Sequence, residues 1–245
     1  MVKMIISKQN ALIKEIKSLS DKKFRDRLNV FVVEGIKPVR EAIALNLKIR
    51  NVILTEKASA LIGEGNFNRE IVSDQVFDYV SEEITPQGAL AIVYKSDNVI
   101  KSPTGKCLLL DGVSDPANVG AIIRTAAAAG YNDIYMTTEC ADPYSQKAVR
   151  ASMSGIFRVN VMRGDIQSLL SVINFPVWVA DMNGQNVYSA KNTGDFCLVI
   201  GNEGRGVSEE LKARANFTVS IPMENGMESL NAAVSAGILM YSLKG

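Results

Sequence analysis

The stretch CLLLDGVSDPANVGAIIRTAAAAGYNDIYMT, residues 107–137, decides the fold class of this chain. An apolar run ends at Asp111, a helical segment follows, and a second apolar run begins at Asp133. Asp115 is of a type that caps helices, and Pro116 suits the first helical position. This strand–helix–strand order predicts an α/β fold with a parallel sheet.

The same alternation continues towards the C-terminal side. The runs PVWVAD (176–181) and FCLVIG (196–201) are continuously apolar, which is typical of strands buried on both faces of a parallel sheet. The segment ESLNAAVSAGILMYSL (228–243) predicts the last helix of the chain, opened by Ser229 and Asn231.

A second α/β pattern precedes residue 96. The first 30 residues have helical spacing, the segment 29–35 is a predicted strand, and 37–45 a predicted helix. The polar stretch SDNVIKSPTGK (96–106) then interrupts the alternation. The sequence therefore predicts a small α/β domain over 1–98 and a larger α/β domain over 106–245.

The composition excludes several classes of site. The 245 residues include no histidine, so no Ser-His-Asp triad and no histidine-ligated metal site can exist. Three scattered cysteines form no CxxC pair, which argues against a zinc or redox motif and favours the cytoplasm. No segment has the apolar length that a membrane helix needs. We expect a cytoplasmic protein that uses neither metal nor membrane.

The charge is unevenly distributed along the chain. Residues 1–50 carry 12 Lys and Arg against 5 Asp and Glu, whereas the remainder carries 15 against 21. A basic end on a near-neutral chain suggests a phosphate-bearing partner, although a solvated helix face would give the same count.

Three predicted loops carry polar residues beside strand ends. The first holds Asn118 and Arg124 around Gly120, the second is GNEGRG (201–206) with Glu203, and the third is IPMENGMESLN (221–231). Glycines at the end of a buried strand allow the backbone to approach a ligand. Taken singly, the first loop is as compatible with a plain amphipathic helix as with a functional site. The third loop, taken singly, is better explained by Ser229 as an ordinary N-terminal cap.

Together, the three loops resemble the signature motifs of the SpoU/TrmH family within the SPOUT methyltransferases. The motifs are N-x-G-x-x-x-R at 118–124, G-x-E-x-x-G at 201–206 and S-L-N at 229–231, in the order of the family. The segment 142–159 resembles the RNA-facing segment of that family. The N-terminal part is similar to the small RNA-binding domain that many members place first.

The resemblance implies methyl transfer from S-adenosylmethionine to a ribose 2′-hydroxyl of structured RNA, with 23S ribosomal RNA the expected substrate. It implies that Arg124 is the key catalytic residue, positioned by Asn118, Glu203, Ser229 and Asn231. Because a free guanidinium is a poor base, we expect Arg124 to orient and stabilise rather than to accept the proton. The chemistry needs alignment of oxygen, carbon and sulfur, and no histidine or metal.

The resemblance further implies a cofactor site and contacts with RNA. The cofactor would be held at Gly201, Ile221, Met223 and Leu230, and RNA at Lys147 and Arg150. The basic charge of the first 50 residues adds Lys22, Lys23 and Arg25 as candidate RNA contacts. Members of the family also fold the catalytic domain into a deep trefoil knot and form homodimers. Both properties are expected here by resemblance alone.

Three alternatives remain open at this stage. The chain could methylate transfer RNA instead of ribosomal RNA, or bind RNA without catalysis, which the basic N-terminus would support equally well. A nucleotide-binding oxidoreductase that uses GNEGRG is the third, but a G-x-G-x-x-G motif after the first strand is missing from both predicted domains.

Overall fold

The computed structural model describes residues 4–96, 98–190 and 194–243. The chain forms two compact units, one of Met1–Lys95 with Tyr144–Phe157 and the other of Ser96–Pro143 with Arg158–Gly245. The predicted domain ranges 1–98 and 106–245 include nine residues that lie outside the described part. Across the part that is described, no helix has the length and apolar character needed to cross a membrane.

The first unit is a four-stranded sheet covered by short helices. The sheet order is β1-β4-β2-β3, with β4 antiparallel to both neighbours and β2 parallel to β3. The elements are α1 (Ala11–Ser18), α2 (Lys22–Leu28), β1 (Val30–Glu34), α3 (Ile36–Ala44), β2 (Ile49–Leu54), α4 (Glu56–Ser59), β3 (Asn68–Ile71), α5 (Asp74–Val80), β4 (Ala89–Tyr94) and α7 (Gln146–Ser152).

The N-terminal helical segment consists of two helices. Its apolar residues Ile13, Ile16 and Leu19 lie in the core, and Leu12 is partly buried against it. The helix breaks after residue 19 because Asp21 caps a new helix, accepting a 2.8 Å hydrogen bond from the Lys23 amide.

The segment Tyr144–Phe157 belongs to the first unit although it is distant in sequence. The ring centroids of Tyr144 and Phe157 lie 5.1 and 6.5 Å from that of Phe31 on β1. Such aromatic pairs add to the burial energy of the rings. The candidate RNA residues Lys147 and Arg150 therefore lie on a helix of this unit.

The second unit is a parallel six-stranded sheet with helices, which confirms the predicted α/β architecture. The strand order is β10-β8-β9-β5-β6-β7, and every pair is parallel. The elements are β5 (Cys107–Leu110), α6 (Pro116–Ala129), β6 (Asp133–Thr137), β7 (Asn160–Gly164), α8 (Ile166–Leu170), β8 (Val177–Asn186), β9 (Cys197–Ile200), α9 (Glu209–Lys212), β10 (Phe217–Ser220) and α10 (Ala232–Ser242).

The helix predicted from the opening motif has the expected ends. Asp115 caps α6 by accepting a 3.0 Å hydrogen bond from the Ala117 amide, and Pro116 takes the first turn. Gly130 ends the helix in the left-handed region, with φ of 84°. These ends place the buried Asn118 in the first turn of the helix that follows β5.

The last helix begins later than predicted. It starts at Ala232, not at residue 228, because the side chain of Asn231 accepts hydrogen bonds from the amides of Ala233 and Val234. Ser229 therefore precedes the helix and does not cap it. The residues 222–230 form an exposed loop between β10 and α10.

Candidate active site at the carboxyl edge of the parallel sheet

A chain of side-chain hydrogen bonds joins the three motifs. Asn118 Nδ2 donates to Glu203 Oε1 at 2.9 Å, and Asn231 Nδ2 donates to Asn118 Oδ1 at 2.9 Å. The loops after β5, β9 and β10 meet here because parallel strands place their carboxyl ends at one edge of the sheet. The structure thus brings together three of the five residues predicted to be catalytic.

Glu203 is held by more than Asn118. Its Oε2 accepts hydrogen bonds from the amide and hydroxyl of Ser114 at 3.1 and 3.0 Å, and Oε1 accepts one from the Asp115 amide at 3.3 Å. Partial burial raises the pKa of Glu203, but these donors and Asn118 outweigh it and lower the pKa to about 2. A carboxylate with that pKa is a poor proton acceptor at neutral pH, so its chemistry is to orient Asn118.

The GNEGRG segment is a closed turn. Asn202 and Gly206 exchange two backbone hydrogen bonds of 3.0 Å, and Asn202 Oδ1 accepts from the amides of Gly204 and Arg205. Gly201 is needed because a Cβ there would lie 2.2 Å from the carbonyl carbon of Gly206. The turn therefore fixes Glu203 in its position towards Asn118.

The predicted cofactor residues lie on the loops that follow β9 and β10. Gly201 follows β9, and Ile221 follows β10. Met223 and Leu230 belong to the exposed loop, at 36 % and 38 % exposure. In the described part of the chain, the amides of residues 228–230 donate no hydrogen bond to a protein group. Free amides of this kind can hold a polar ligand through the backbone.

Arg124 lies on the same helix as Asn118 but outside the network. Its side chain is exposed, and among the described residues it has no hydrogen-bond or ion-pair partner. Ser229 is exposed on the loop two residues before Asn231. Both side chains are therefore accessible to a substrate, unlike Asn118.

One of the residues predicted to contact RNA is buried. Arg25 is only 3 % exposed, and its Nη1 donates to the carbonyls of Leu19 and Ser20 at 2.7 Å each. Arg25 lies on α2 and faces the break between the two helices. Its side chain therefore has a structural role. Lys22 and Lys23 on the same helix are exposed, and Lys22 pairs with Asp26.

The two basic residues of α7 are exposed. Arg150 forms a 2.9 Å ion pair with Glu83 and Lys147 stands one helical turn earlier. The Arg150–Glu83 ion pair is on the surface, so it contributes little to stability. Arg150 can therefore bind a phosphate in place of Glu83.

Sequence reasoning missed the roles of Ser114 and Asn202. Ser114 holds Glu203 through two groups, and Asn202 Nδ2 donates to the Gly112 carbonyl at 2.7 Å. Asparagine next to glycine favours a turn, so Gly201 followed by Asn202 could have indicated the turn that Asn202 closes. Ser114 carries no such signal, because its contact spans 89 residues. In the described part, no three Cys, Asp or Glu residues are grouped so as to hold a metal ion.

Comparison with known proteins identifies relatives over the whole chain. The model of the SpoU rRNA Methylase family matches residues 105–241, and that of the MRM3-like substrate binding domain matches residues 10–91. The chain is 30 % identical to the 23S rRNA (guanosine(2553)-2′-O)-methyltransferase RlmP of Bacillus subtilis, with all of both chains covered.

Two further relatives agree with this match. The 23S rRNA (uridine(2479)-2′-O)-methyltransferase of Streptomyces viridochromogenes is 26 % identical, over 96 % of this chain and 90 % of that protein. The crystal structure of the AdoMet-bound rRNA methyltransferase from Sinorhizobium meliloti superposes with a TM-score of 0.87, at 28 % identity and covering 98 % and 97 % of the two chains. The resemblance drawn from the three motifs is confirmed: this chain belongs to the SpoU rRNA methylase family.

Proposed function

We propose that this chain is a ribose-2′-O-methyltransferase that acts on 23S ribosomal RNA with S-adenosylmethionine. The observation that carries the proposal is the hydrogen-bonded chain of Glu203, Asn118 and Asn231, which joins all three family motifs. The two named relatives modify 23S ribosomal RNA, which favours that substrate over transfer RNA.

The free amides of the loop before α10 and the close backbone approach at Gly201 fit a cofactor held mainly through the backbone. Gly201, Ile221, Met223 and Leu230 would hold it. When bound, S-adenosylmethionine supplies a methyl group made electrophilic by its positive sulfur. The protein has to place a ribose 2′-oxygen in line with that carbon–sulfur bond.

Arg124 is suited to that placement. Its free, exposed guanidinium can donate to an RNA phosphate and to the 2′-oxygen at the same time, since it presents five donors in a rigid fork. Methyl transfer would form a bond from this oxygen to the methyl carbon while the carbon–sulfur bond breaks. The electron pair of the carbon–sulfur bond would stay on sulfur. The 2′-proton leaves to solvent or to a phosphate oxygen. Glu203 keeps Asn118 oriented throughout, because its pKa of about 2 leaves it ionised.

RNA is bound by the first unit through Lys22 and Lys23, and through Lys147 and Arg150 on α7, all of which are exposed. Such contacts to phosphates fix the position of the RNA without reading its sequence. Localisation in the cytoplasm is part of the proposal, because three scattered cysteines fit a reducing compartment.

The trefoil knot of the catalytic domain is part of the proposal. Thr218 of β10 pairs with Val179 of β8, and the next residue, Val219, pairs with Gln185. The pairing therefore skips the five residues of β8 that lie between Val179 and Gln185. A Cβ on Gly184 would lie 2.5 Å from the Val219 amide nitrogen, so β8 and β10 approach each other very closely there. Stretching single molecules from both ends tests the knot, because a knotted chain extends less than its contour length.

The homodimer is supported by the composition of α10. The helix is apolar around its whole circumference, yet Val234 and Tyr241 are 50 % and 53 % exposed. A helix that is apolar on all sides is normally buried. Light scattering should give twice the chain mass of 26.6 kDa, and Val234→Asp should halve it.

The decisive experiment maps 2′-O-methyl groups across total RNA from cells with and without the gene. We expect one or a few positions in 23S RNA to lose the modification. Loss from transfer RNA alone would favour the tRNA alternative. Unchanged methylation with retained RNA binding would favour a catalytically silent protein, and a thermal shift with NAD(P) but none with S-adenosylmethionine would favour the oxidoreductase.

A further inference from the structure

Gly112 connects the loop of the first motif to two other parts of the parallel sheet. It lies at the start of the loop between β5 and α6, in the left-handed region with φ of 67°. Its amide donates a 2.9 Å hydrogen bond to the Thr137 hydroxyl oxygen, and its carbonyl accepts a 2.7 Å hydrogen bond from Asn202 Nδ2. Side chains at the end of β6 and in the turn after β9 therefore hold both backbone polar groups of Gly112.

Thr137 holds the Gly112 amide from a buried position. It is the last residue of β6 and is only 4 % exposed. The sulfur of Cys140 lies 3.7 Å from the Thr137 hydroxyl oxygen and donates to the Leu110 carbonyl at 3.2 Å. Because the single thiol proton goes to that carbonyl, the Thr137 hydroxyl donates to sulfur, and its oxygen is left to accept from the Gly112 amide. The orientation of the hydroxyl is therefore fixed from both sides.

The loop that begins at Gly112 supplies three hydrogen bonds to Glu203. Ser114 donates to one carboxylate oxygen through its amide and its hydroxyl, and the Asp115 amide donates to the other oxygen. A single residue separates Gly112 from Ser114, so the backbone direction at Gly112 decides where these amides point. The contact with Thr137 thus acts on Glu203 through the backbone of this loop.

We infer that Thr137 is a positioning residue of the active site, whose hydroxyl directs the donors of the loop after β5 at Glu203. The inference rests on the proposed methyl transfer, because Glu203 in turn orients Asn118, which accepts from Asn231. A threonine with a structural role alone would contribute only to stability. A positioning residue also affects how strongly the carboxylate of Glu203 is stabilised.

The titration of Glu203 reports on this positioning without any reaction. Burial raises its pKa, but hydrogen bonds from Asn118 and from the backbone amides around it lower the pKa to about 2. Thr137→Val keeps the shape of the side chain and removes the acceptor of the Gly112 amide. The loop amides would then be directed less well at the carboxylate, so the pKa of Glu203 should rise by about one pH unit, towards 4.5.

The test follows the side-chain carboxyl carbon of Glu203 in the full chain by carbon-13 NMR, from neutral pH to pH 3.5. Glu203→Gln identifies the signal, because it removes the carboxyl group. The wild-type signal should stay at its ionised position over this range, whereas the signal of Thr137→Val should begin to shift. Thr137→Ser retains the hydroxyl and should behave as the wild-type chain. Thr138→Val is the control, since Thr138 is the exposed neighbour of Thr137.

Steady-state methyl transfer gives a second comparison of the same variants. Thr137→Val should lower kcat about tenfold, because a poorly held Glu203 orients Asn118 less well. The KM for S-adenosylmethionine should stay unchanged, since the proposed cofactor residues lie on the loops after β9 and β10. Thr137→Ser should restore kcat, and Thr138→Val should leave it at the wild-type value.

Hydrogen exchange of the wild-type chain tests the contact even if Thr137→Val does not fold. The Gly112 amide should exchange at least about a hundredfold more slowly than an open loop, because exchange has to break its hydrogen bond to Thr137. The measurement uses residue-resolved NMR at neutral pH and needs no substitution.

Rapid exchange at Gly112 would overturn the inference. So would an unchanged Glu203 signal in folded Thr137→Val, or a shifted signal with an unchanged kcat. These outcomes are distinguishable from failure of the proposed function. A chain that methylates 23S RNA but keeps its Glu203 signal in Thr137→Val loses only this inference, whereas one that shows the shift but methylates nothing loses only the proposed reaction.

Discussion

Asn118 Nδ2 and Glu203 Oε1 lie 2.9 Å apart although 85 positions separate them in the sequence. Asn118 is buried at the first turn of α6, and Glu203 occupies a closed turn after β9. The contact orients the Asn118 side chain so that its oxygen is available to Asn231. The proposed active site therefore has a hydrogen-bonded polar scaffold, and Arg124 is exposed outside that network.

Arg124→Ala should abolish most methyl transfer and leave cofactor binding nearly intact. Loss of a group that stabilises developing charge raises the barrier by on the order of 3 kcal/mol or more. Arg124→Lys should rescue poorly, because lysine keeps the charge but loses the planar fork. Single-turnover assays measure the rate of methyl transfer, and calorimetry measures the affinity for S-adenosylmethionine.

The control for Arg124 is Arg214→Ala, which removes another exposed arginine of the same unit. Its rate should match that of the wild-type chain. A wild-type rate for Arg124→Ala, with a normal thermal melt, would remove Arg124 from the mechanism.

Glu203→Gln should change how stability depends on acid. Folding lowers the pKa of Glu203 from 4.5 to about 2, so it favours the ionised form. That stabilisation is fully present above pH 4.5 and is lost as the pH falls towards 2. The glutamine variant cannot titrate, so its stability deficit should be largest near neutral pH and shrink in acid.

Urea unfolding of both proteins between pH 2.5 and pH 7 measures this difference, because most of the change is expected between the two pKa values of 4.5 and about 2. A deficit that is constant over that range would show that Glu203 has an ordinary pKa. Asn118→Ala should produce a smaller change of the same sign, because it removes one of several donors.

RNA binding through the first unit should depend on salt and on Lys22 and Lys23. Both are exposed on α2, and each phosphate contact releases counterions, so affinity falls steeply as salt is added. The Lys22→Glu, Lys23→Glu double variant should bind 23S RNA fragments more weakly and with a shallower salt slope. Cofactor affinity should not change.

Filter binding at several salt concentrations measures the slope. Arg25 is left out of this variant because its guanidinium is buried against two backbone carbonyls, and its replacement would destabilise the unit instead. A salt slope equal to that of the wild-type chain would place the RNA surface elsewhere.

Gly201→Ala should distort the turn that carries Glu203. The added Cβ would lie 2.2 Å from one backbone atom and 2.3 Å from another, and backbone cannot move aside easily. We expect a loss of about 1–3 kcal/mol in the free energy of unfolding, with weaker cofactor binding. Gly204→Ala is the matched control, since its Cβ would meet nothing closer than 3.7 Å. Equal effects of the two variants would contradict the argument.

Much of the second unit could be predicted from local sequence. The α6 helix follows from its cap, its proline and its terminal glycine, and the apolar runs around Val179 and Val199 mark strands buried on both faces. These signals are local, because capping and strand burial involve neighbouring residues. The three motifs then pointed to Asn118, Glu203 and Asn231, which the structure joins.

Three features of the structure could not be predicted from composition and periodicity. Arg25 has the same basic character as Lys23 in the sequence, and only the break after α1 turns it towards two carbonyls. α10 starts late because Asn231, and not Ser229, caps the helix. The packing of Tyr144 and Phe157 on Phe31 links positions more than a hundred residues apart, beyond the reach of any periodicity.

The link between Asn118 and Asn231 also affects how the enzyme comes into being. Residues 118 and 231 leave the ribosome far apart in time, since synthesis adds only about 5–20 residues each second. Until Asn231 has emerged and α10 has docked, the oxygen of Asn118 lacks the partner that completes the network. The network can therefore be completed only after Asn231 has left the ribosome.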